Sequence, residues 1–89
     1  MVDSHFTVEV LISNKLQARD PEGEVILSDL IHKGGYDNVT EVRTGKLLMM
    51  EVEAQDEVHA KDLVFKMCNE LRLYNPVAHA MRIEVREER

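Results

Sequence analysis

The chain has 89 residues, of which 31% are charged and 44% hydrophobic, and its formal net charge is −6 at pH 7. This length is enough for one domain spanning residues 1–89, and a chain so short buries only about two-thirds of the surface that its unfolded form exposes. The 17 acidic residues outnumber the 11 basic ones, which excludes the basic face that nucleic-acid binding requires.

Residues 5–12 are predicted to form the first strand, because apolar and polar side chains alternate along this segment. The face that this alternation assigns to the core comprises Phe6, Val8, Val10 and Ile12. The following residues, 13–19, are polar and aperiodic, and we expect a loop there.

A helix is predicted to begin at Asp20 and Pro21, because Asp caps free backbone N–H groups and Pro loses no hydrogen bond at the first helical position. It is predicted to end at Gly34 and Gly35, since glycine takes the left-handed conformation without a Cβ clash. Between these ends the apolar residues recur at helical spacing. Their stripe comprises Ile26, Leu27, Leu30 and Ile31.

Residues 38–54 carry a second pattern of alternation, which predicts extended structure. Gly45 and Lys46 interrupt this pattern and indicate a turn or a bulge. The segment is therefore either two strands of a hairpin or one long bent strand. The segment contains Val39 and Val42, followed by a period-2 apolar face that comprises Leu48, Met50, Val52 and Ala54.

A second helix is predicted to begin at Asp56 and to stop at Asn75-Pro76, because a residue that precedes proline is pushed out of the helical region. Residues 77–86 then alternate between apolar and polar side chains, which predicts a final strand. The apolar side of the helix comprises Ala60, Leu63, Val64, Met67, Cys68 and Leu71.

The order of predicted elements is β-α-β-β-α-β, which predicts an α+β ferredoxin-like sandwich. In this fold two helices cover one face of a four-stranded antiparallel sheet. The uncovered face of such a sheet is expected to be polar, but here it carries Leu11, Leu47 and Met49. We interpret these residues as an oligomer face and expect the open face or the sheet edges to pack against another subunit. The alternative is scattered exposed apolar residues, which are normal on any surface.

Candidate catalytic residues are few in this sequence. The four histidines, at positions 5, 32, 59 and 79, fall on different elements, which argues against a metal site. Cys68 lies on the apolar side of the second helix, where a thiol serves as a small hydrophobic residue. Arg43, Gly45 and Lys46 resemble a phosphate loop only superficially, because the glycine-rich pattern of such a loop is absent. We expect no catalytic residue and no metal ligand.

A cytoplasmic location is expected, because the N-terminus lacks the basic and apolar regions of a signal peptide. No apolar run approaches the roughly 18 residues of a membrane-spanning helix, so no membrane partner is expected. The single cysteine excludes an internal disulfide. Residues 1–4 and 87–89 are expected to be flexible ends.

Three motifs, taken together and in this order, resemble one known family. They are Asp20-Pro21-x-Gly23, the run from Gly35 to Lys46 (GYDNVTEVRTGK), and Cys68-Asn69-Glu70-Leu71 followed by Asn75-Pro76-Val77. The chain closely resembles PurS, the small subunit of phosphoribosylformylglycinamidine (FGAM) synthase. The resemblance extends over nearly the whole chain, from about Phe6 to Val85.

The resemblance implies a role in the fourth step of purine biosynthesis, in which formylglycinamide ribonucleotide is converted to the amidine with ATP and glutamine. It implies two partners besides further copies of the chain itself, in a dimer or tetramer. A PurL-type synthetase binds ATP and substrate, and a PurQ-type glutaminase releases ammonia. The chain is then a non-catalytic subunit that bridges the two and aids ammonia transfer. It binds no cofactor itself, although the complex uses ATP and Mg.

The resemblance also indicates residues that contact a partner or a sister subunit. These candidates comprise Asp20, Pro21, Gly23, Arg43, Gly45, Lys46, Asn75 and Pro76. Local structure offers a competing explanation for most of them, since capping, bending and helix termination account for Asp20, Gly45 and Pro76. Arg43 and Lys46 have no such explanation in the sequence.

A different class of function shares this order of elements. A ligand-sensing module of the ACT type is also a βαββαβ dimer, and it holds an amino acid at a glycine-rich turn after its first strand. In this chain the corresponding loop spans residues 13–23 and contains Pro21, which fits such a turn poorly.

Overall fold

The computed structural model describes residues 4–88. We use helix one for α1 together with its π-helical continuation. The elements in chain order are β1 (Ser4–Asn14), α1 (Pro21–Val25), the π-helical continuation (Ile26–His32), β2 (Gly45–Ala54), α2 (Glu57–Glu70) and β3 (His79–Glu88).

The sheet has three antiparallel strands in the order β2-β1-β3. Its central strand is β1, in which Val8 lies opposite Met50 of β2 and opposite Val85 of β3. A change of register between Thr7 and Val8 marks a bulge where β1 meets the end of β3. β1 is therefore paired along both edges, whereas β2 and β3 each have one edge to which no described strand is bonded.

The core lies between this sheet and α2. Apolar side chains of alternate strand residues face the helix, as the alternation predicted, and α2 contributes Ala60, Val64 and Cys68. The α2 helix begins as predicted, because the Asp56 carboxylate accepts a hydrogen bond from the backbone N–H of His59 at 2.9 Å. The strand residues of the core comprise Phe6, Val8, Val10, Ile12, Val52, Ala54 and Ile83.

The predicted fold class is confirmed, but the predicted number of strands is wrong. The structure has two helical regions and an antiparallel sheet of three strands rather than four. Residues 38–44 form no strand, so the segment is neither a hairpin nor one long bent strand. The physical reason is that Arg43 and Thr44 make their hydrogen bonds with the end of β1, the loop after it and Asp20, and not along a strand ladder.

Helix one does not cover the sheet, contrary to the prediction that both helices pack on one face. No Cα of helix one lies within 8 Å of a strand Cα. The molecule accordingly measures 56 × 28 × 14 Å, and its radius of gyration is 16.9 Å, against about 12 Å for a compact chain of this length. The apolar spacing of helix one also fits a π-helix, in which residues four and five apart lie on one side.

The ends of the elements follow the glycine, proline and capping signals only in part. Helix one is followed by Gly35 with φ +94°, as expected for a glycine after a helix. Arg72 takes the left-handed conformation with φ 55° just after α2.

No helix within residues 4–88 is both long and apolar enough to cross a membrane.

The expected flexible ends fall partly outside the described residues. Residues 1–3 and 89 are not described, and for them the expectation stays a prediction. Ser4 belongs to β1, and residues 87 and 88 belong to β3.

Val64→Ala should lower the free energy of unfolding by about 2 kcal/mol, because it removes fully buried methyl groups and leaves a cavity. Val58→Ala on the same helix is the matched control, since Val58 is 66% exposed. Urea denaturation of both variants measures the difference. Equal losses for the two variants would contradict the position assigned to the core.

Candidate subunit-contact site

Four of the residues in the resemblance motifs meet at one place, which we call the Asp20 junction: Asp20, Gly23, Arg43 and Thr44. Here the loop after β1, the first turn of helix one and the segment before β2 come together. The junction joins residues that lie more than 20 positions apart in the sequence. It therefore determines where helix one stands relative to the sheet.

The Asp20 carboxylate is only 4% exposed and accepts hydrogen bonds from both sides of the junction. Its Oδ1 accepts from the Gly23 N–H at 3.1 Å, which caps helix one. Its Oδ2 accepts from the Thr44 N–H at 2.5 Å, and the Thr44 hydroxyl donates to the same carboxylate at 2.9 Å. These bonds, from the Thr44 N–H first and the Gly23 N–H second, lower the pKa of Asp20.

Gly23 is required by a close approach of two backbone segments. A Cβ at this position would lie 2.2 Å from the carbonyl oxygen of Val42. Any larger side chain would push helix one away from the segment that leads into β2. The glycine of the Asp20-Pro21-x-Gly23 motif thus has a packing role that the sequence did not reveal.

Arg43 organises the loop that follows β1. Its guanidinium donates to the carbonyl oxygens of Ala18 at 3.0 Å, Lys15 at 2.9 Å and Asn14 at 3.3 Å. A planar fork of N–H donors suits several carbonyls at once, which the ammonium of a lysine does not. Arg43 therefore has a structural role, and its predicted role in partner contact stays a prediction.

Gly45, Lys46 and Pro21 lie beside the junction rather than within it. Gly45 and Lys46 line an open groove of about 580 Å³ at the end of the sheet where β1 finishes and β2 begins. Glu22, next to Pro21, lines the same groove, and His79 lines it from the start of β3. Lys46 is exposed and is available for the predicted contact.

Asn75 and Pro76 form the turn that joins α2 to β3. The Asn75 side chain accepts from the Val77 N–H at 3.0 Å, and the Asn75 N–H donates to Nδ1 of His79 at 3.1 Å. The backbone of this turn reaches the loop after β1, because the Lys15 N–H donates to the Ala78 carbonyl at 3.1 Å. The turn therefore borders the groove, although it makes no hydrogen bond with the Asp20 junction itself.

The predicted oligomer face is a real patch on the side of the sheet away from α2. Leu11 and Leu47 are directly paired across β1 and β2, and Met49 lies opposite Glu9, the next residue on that face. Leu47 and Met49 are both more than half exposed. Glutamates flank the patch at positions 9, 51 and 53, and Arg82 of β3 lies opposite Leu11.

Thr44 of the junction and Asn14 beside it make structural hydrogen bonds that the sequence analysis did not predict. Thr44 binds the Asp20 carboxylate through both its backbone and its hydroxyl, and Asn14 donates to the Arg19 carbonyl at 3.4 Å. The signal for Thr44 was its position inside the Gly35–Lys46 motif. No local pattern indicates that residue 44 reaches residue 20.

The geometry of the described residues offers binding surfaces. Among residues 4–88, no three His, Cys, Asp or Glu side chains converge where they could hold a metal ion. The Cys68 thiol is buried in the core, and its burial raises its pKa, which keeps it protonated. What the described residues present is a rigid junction, a polar groove and an exposed apolar patch.

The family model for PurS, phosphoribosylformylglycinamidine (FGAM) synthase, matches residues 7–87 of the chain. The chain belongs to the PurS family. The PurS subunit of FGAM synthase from Methanocaldococcus jannaschii is 36% identical over 80 residues, which cover 90% of this chain and 94% of that protein. The PurS assignment takes precedence over the ACT-type alternative.

Two solved PurS structures have the same fold as this chain. The crystal structure of the PurS subunit of FGAM synthase from Thermotoga maritima superposes with a TM-score of 0.85 at 31% identity and covers 97% of each chain. A chain in the structure of PurLQS from the same organism superposes with a TM-score of 0.80 at 30% identity. That match covers 92% of this chain and 98% of the other.

Arg43→Gln should lower the free energy of unfolding by about 1–3 kcal/mol, because hydrogen bonds from the guanidinium to backbone carbonyls are lost. Lys46→Gln also removes one positive charge, three residues later, and should change the free energy of unfolding by less than about 0.5 kcal/mol. Chemical denaturation at pH 7 compares the two. A Lys46 variant as unstable as the Arg43 variant would show that charge, and not the carbonyl contacts, matters here.

Asp20→Asn should make the chain less stable than the wild type at neutral pH but not in acid. The lowered pKa of Asp20 means that the charged form stabilises the folded state. This stabilisation is fully present above about pH 4, where the carboxyl of the unfolded chain is ionised, and it is lost as the pH falls through the folded-state pKa.

The measurement is the difference in unfolding midpoint between wild type and Asp20→Asn at pH 7, 5, 4 and 3. The difference should stay constant from pH 7 to 5 and then shrink. Glu22→Gln, on an exposed residue of the same turn, controls for the general effect of removing one carboxylate. A difference that grows in acid would overturn the assignment.

Proposed function

We propose that this chain is the non-catalytic small subunit that an FGAM synthase complex requires for activity. In this reaction formylglycinamide ribonucleotide, glutamine and ATP give the amidine. The PurS chain bridges a PurL-type synthetase and a PurQ-type glutaminase and aids the transfer of ammonia between them. It works as a homo-oligomer in the cytoplasm. ATP and Mg are bound by the other subunits and not by this chain.

The observation that carries this proposal is the family match over residues 7–87 together with the likeness to a chain of the PurLQS structure. The architecture is consistent with a bridging subunit. Helix one projects beyond the sheet, and the open face presents Leu11, Leu47 and Met49 to solvent. Apolar patches of this kind on a small domain mark protein interaction sites.

The surfaces differ in chemistry, and we assign them different roles. The open face is apolar at its centre and carries charges of both signs around it, since Arg82 lies opposite Leu11 and Arg86 contacts Glu9, and it suits a partner with an apolar patch. The groove with Gly45 and Lys46 is polar and lies at the opposite end of β2 from Ala54. This groove suits a contact with a second partner. Asp20, Arg43 and Asn75 would contribute to that contact by holding the backbone around the groove in place.

Reconstitution tests the proposal. The purified chain is mixed with the PurL-type and PurQ-type proteins of the same organism, and amidine formation is followed with glutamine or with ammonium as nitrogen donor. Glutamine-dependent activity should require the chain, and direct ammonia should relieve part of that requirement. Equal glutamine-dependent rates with and without the chain would refute the proposed role.

Leu47→Lys tests the open face within the same assay. It should reduce glutamine-dependent activity at limiting subunit concentration, because it places a charge in the centre of the apolar patch. Leu63→Lys is the matched control, since Leu47 and Leu63 are 52% and 51% exposed but lie on different elements. Equal effects of the two variants would remove the open face from the proposal and leave the subunit role intact.

A further inference from the structure

Two side chains that line the groove at the end of the sheet stand on the face that α2 covers. Lys46 of β2 lies opposite Ile12, and His79 of β3 lies opposite Asn14. Directly paired residues share a face, and so do residues two apart on one strand. Lys46 and His79 therefore lie on the same face as the buried Ile12 and flank β1 on its two sides. Both line the groove of about 580 Å³.

The turn between α2 and β3 determines which nitrogen of the His79 ring carries a proton. The Asn75 backbone N–H can only donate, so Nδ1 of His79 accepts this bond at 3.1 Å and carries no proton. In the neutral imidazole the proton then lies on Nε2, for which the described residues supply no partner. His79 therefore offers an N–H donor to a ligand in the groove.

Two opposite charges line the same groove without pairing. Lys46 on β2 and Glu22 on helix one are both exposed, and neither bonds to any other residue in the described part of the chain. Their charged groups are therefore too far apart to form an ion pair. Leu73, at the end of α2, adds apolar surface to the lining. The groove thus separates a carboxylate from a cation by a space that is partly apolar.

We propose that this groove binds a free α-amino acid in its zwitterionic form. The Lys46 ammonium and the Nε2–H of His79 hold the carboxylate of the ligand, and the Glu22 carboxylate holds its ammonium. The aliphatic part of the ligand packs against Leu73. The volume of the groove lies within the range of small-molecule sites, and each polar contact is a charge-assisted hydrogen bond.

The charge balance of the groove favours a zwitterion over a simple anion. Among the described residues that line it, Lys46 carries the one positive charge when the His79 ring is neutral, and Glu22 offsets that charge. A phosphate dianion would therefore meet no net positive charge, and an organic cation would be repelled by Lys46. A ligand with one charge of each sign pairs with both side chains.

This inference goes beyond the proposed function, because it depends on the groove and not on the subunit role. The groove is also the surface assigned above to a second partner, so a bound amino acid lies where that contact forms. The test measures binding to the isolated full-length chain. Its failure is therefore distinct from a failure of the reconstituted activity.

L-Glutamine is the main probe, because its side chain is uncharged and it is the nitrogen donor of the proposed reaction. Glycine is a second α-amino acid with no side chain. Glutaramate has the carbon chain of glutamine without the ammonium, and γ-aminobutyramide has it without the carboxylate. Inorganic phosphate tests for general anion binding.

NMR spectra of the chain follow each probe to about 20 mM, which detects a dissociation constant on the order of 1 mM. L-Glutamine and glycine should cause saturable shifts in the amides of residues 13–14, 45–46 and 78–79. Glutaramate and γ-aminobutyramide should each bind at least about fivefold more weakly than L-glutamine, because each lacks the partner of one charged side chain.

Substitutions of the two charged residues test the polarity of the site. Lys46→Gln and Glu22→Gln should each weaken the binding of L-glutamine about fivefold or more. Lys66→Gln and Glu57→Gln are the matched controls, since both residues are exposed on α2 and lie outside the groove. Glu57 also occupies the first turn of its helix, as Glu22 does. The controls should leave binding unchanged.

Two substitutions of His79 separate the roles of its nitrogens. Asparagine keeps an acceptor near the position of Nδ1 but has no donor at the position of Nε2, whereas glutamine has the opposite properties. His79→Asn should therefore weaken binding about fivefold, and His79→Gln should stay within about twofold of wild type. Circular dichroism melting checks that both variants are folded. The opposite order of affinities would overturn the role assigned to Nε2.

Other results would overturn the proposal as a whole. The absence of saturable shifts with both amino acids would exclude the site. Equal binding of L-glutamine and glutaramate, or saturable binding of phosphate, would make the groove an anion site and refute the zwitterion. Shifts confined to the open face, at Leu11, Leu47 and Met49, would place the ligand elsewhere.

Discussion

The carboxylate of Asp20 joins parts of the chain that no local interaction would bring together. One oxygen caps the first turn of helix one, and the other binds the backbone of Thr44 just before β2. Because a buried carboxylate is stable only when it is well hydrogen-bonded, both segments must be in place for either to be stable. The direction in which helix one leaves the sheet, and the absence of a fourth strand, both follow from this bond pattern. Gly23 completes it, since only a glycine lets the Val42 carbonyl come so close.

The sequence predicted what depends on local periodicity. Alternation identified β1 and the inner face of β2 and β3, and Asp56 identified the start of α2, because each of these signals acts within a few residues. It did not predict that residues 38–44 lack a strand partner. Val39 and Val42 are residue types that favour a strand, but the segment is held by Asp20 and Arg43, whose partners lie more than 20 residues away.

In the candidate site, too, some features could be predicted from the sequence and others could not. The motif residues Asp20, Gly23 and Arg43 were found by resemblance, and the structure places them together at one junction. Their physical roles could not be deduced from the sequence, since capping explained Asp20 only in part and nothing explained Arg43. Thr44 was missed because a threonine between an arginine and a glycine carries no pattern of its own. The open-face patch, by contrast, follows directly from alternation, and its role as an oligomer face stays a prediction.

A sheet covered by one helix on one face leaves more apolar surface in solvent than a closed two-helix sandwich would. Leu47 and Met49 on the open face, Phe65 beside β3 and Leu30 on helix one are all more than half exposed. This exposed apolar surface is consistent with membership of the PurS family, because the members of that family are subunits. The flat shape, only 14 Å in its shortest dimension, leaves the open face and both outer edges of the sheet available to partners at once.

The contacts of Arg43 also affect which residues of this protein can be substituted during evolution. The guanidinium binds backbone carbonyls of the loop, at Asn14, Lys15 and Ala18, and no side chain of that loop. Every amino acid supplies such a carbonyl, so these contacts do not depend on the side chains of the loop. The conformation of the loop is held by Arg43, which lies outside it. The exposed side chains of residues 15–18 can therefore vary, and the surface they form can be adapted to a new neighbour while helix one keeps its place.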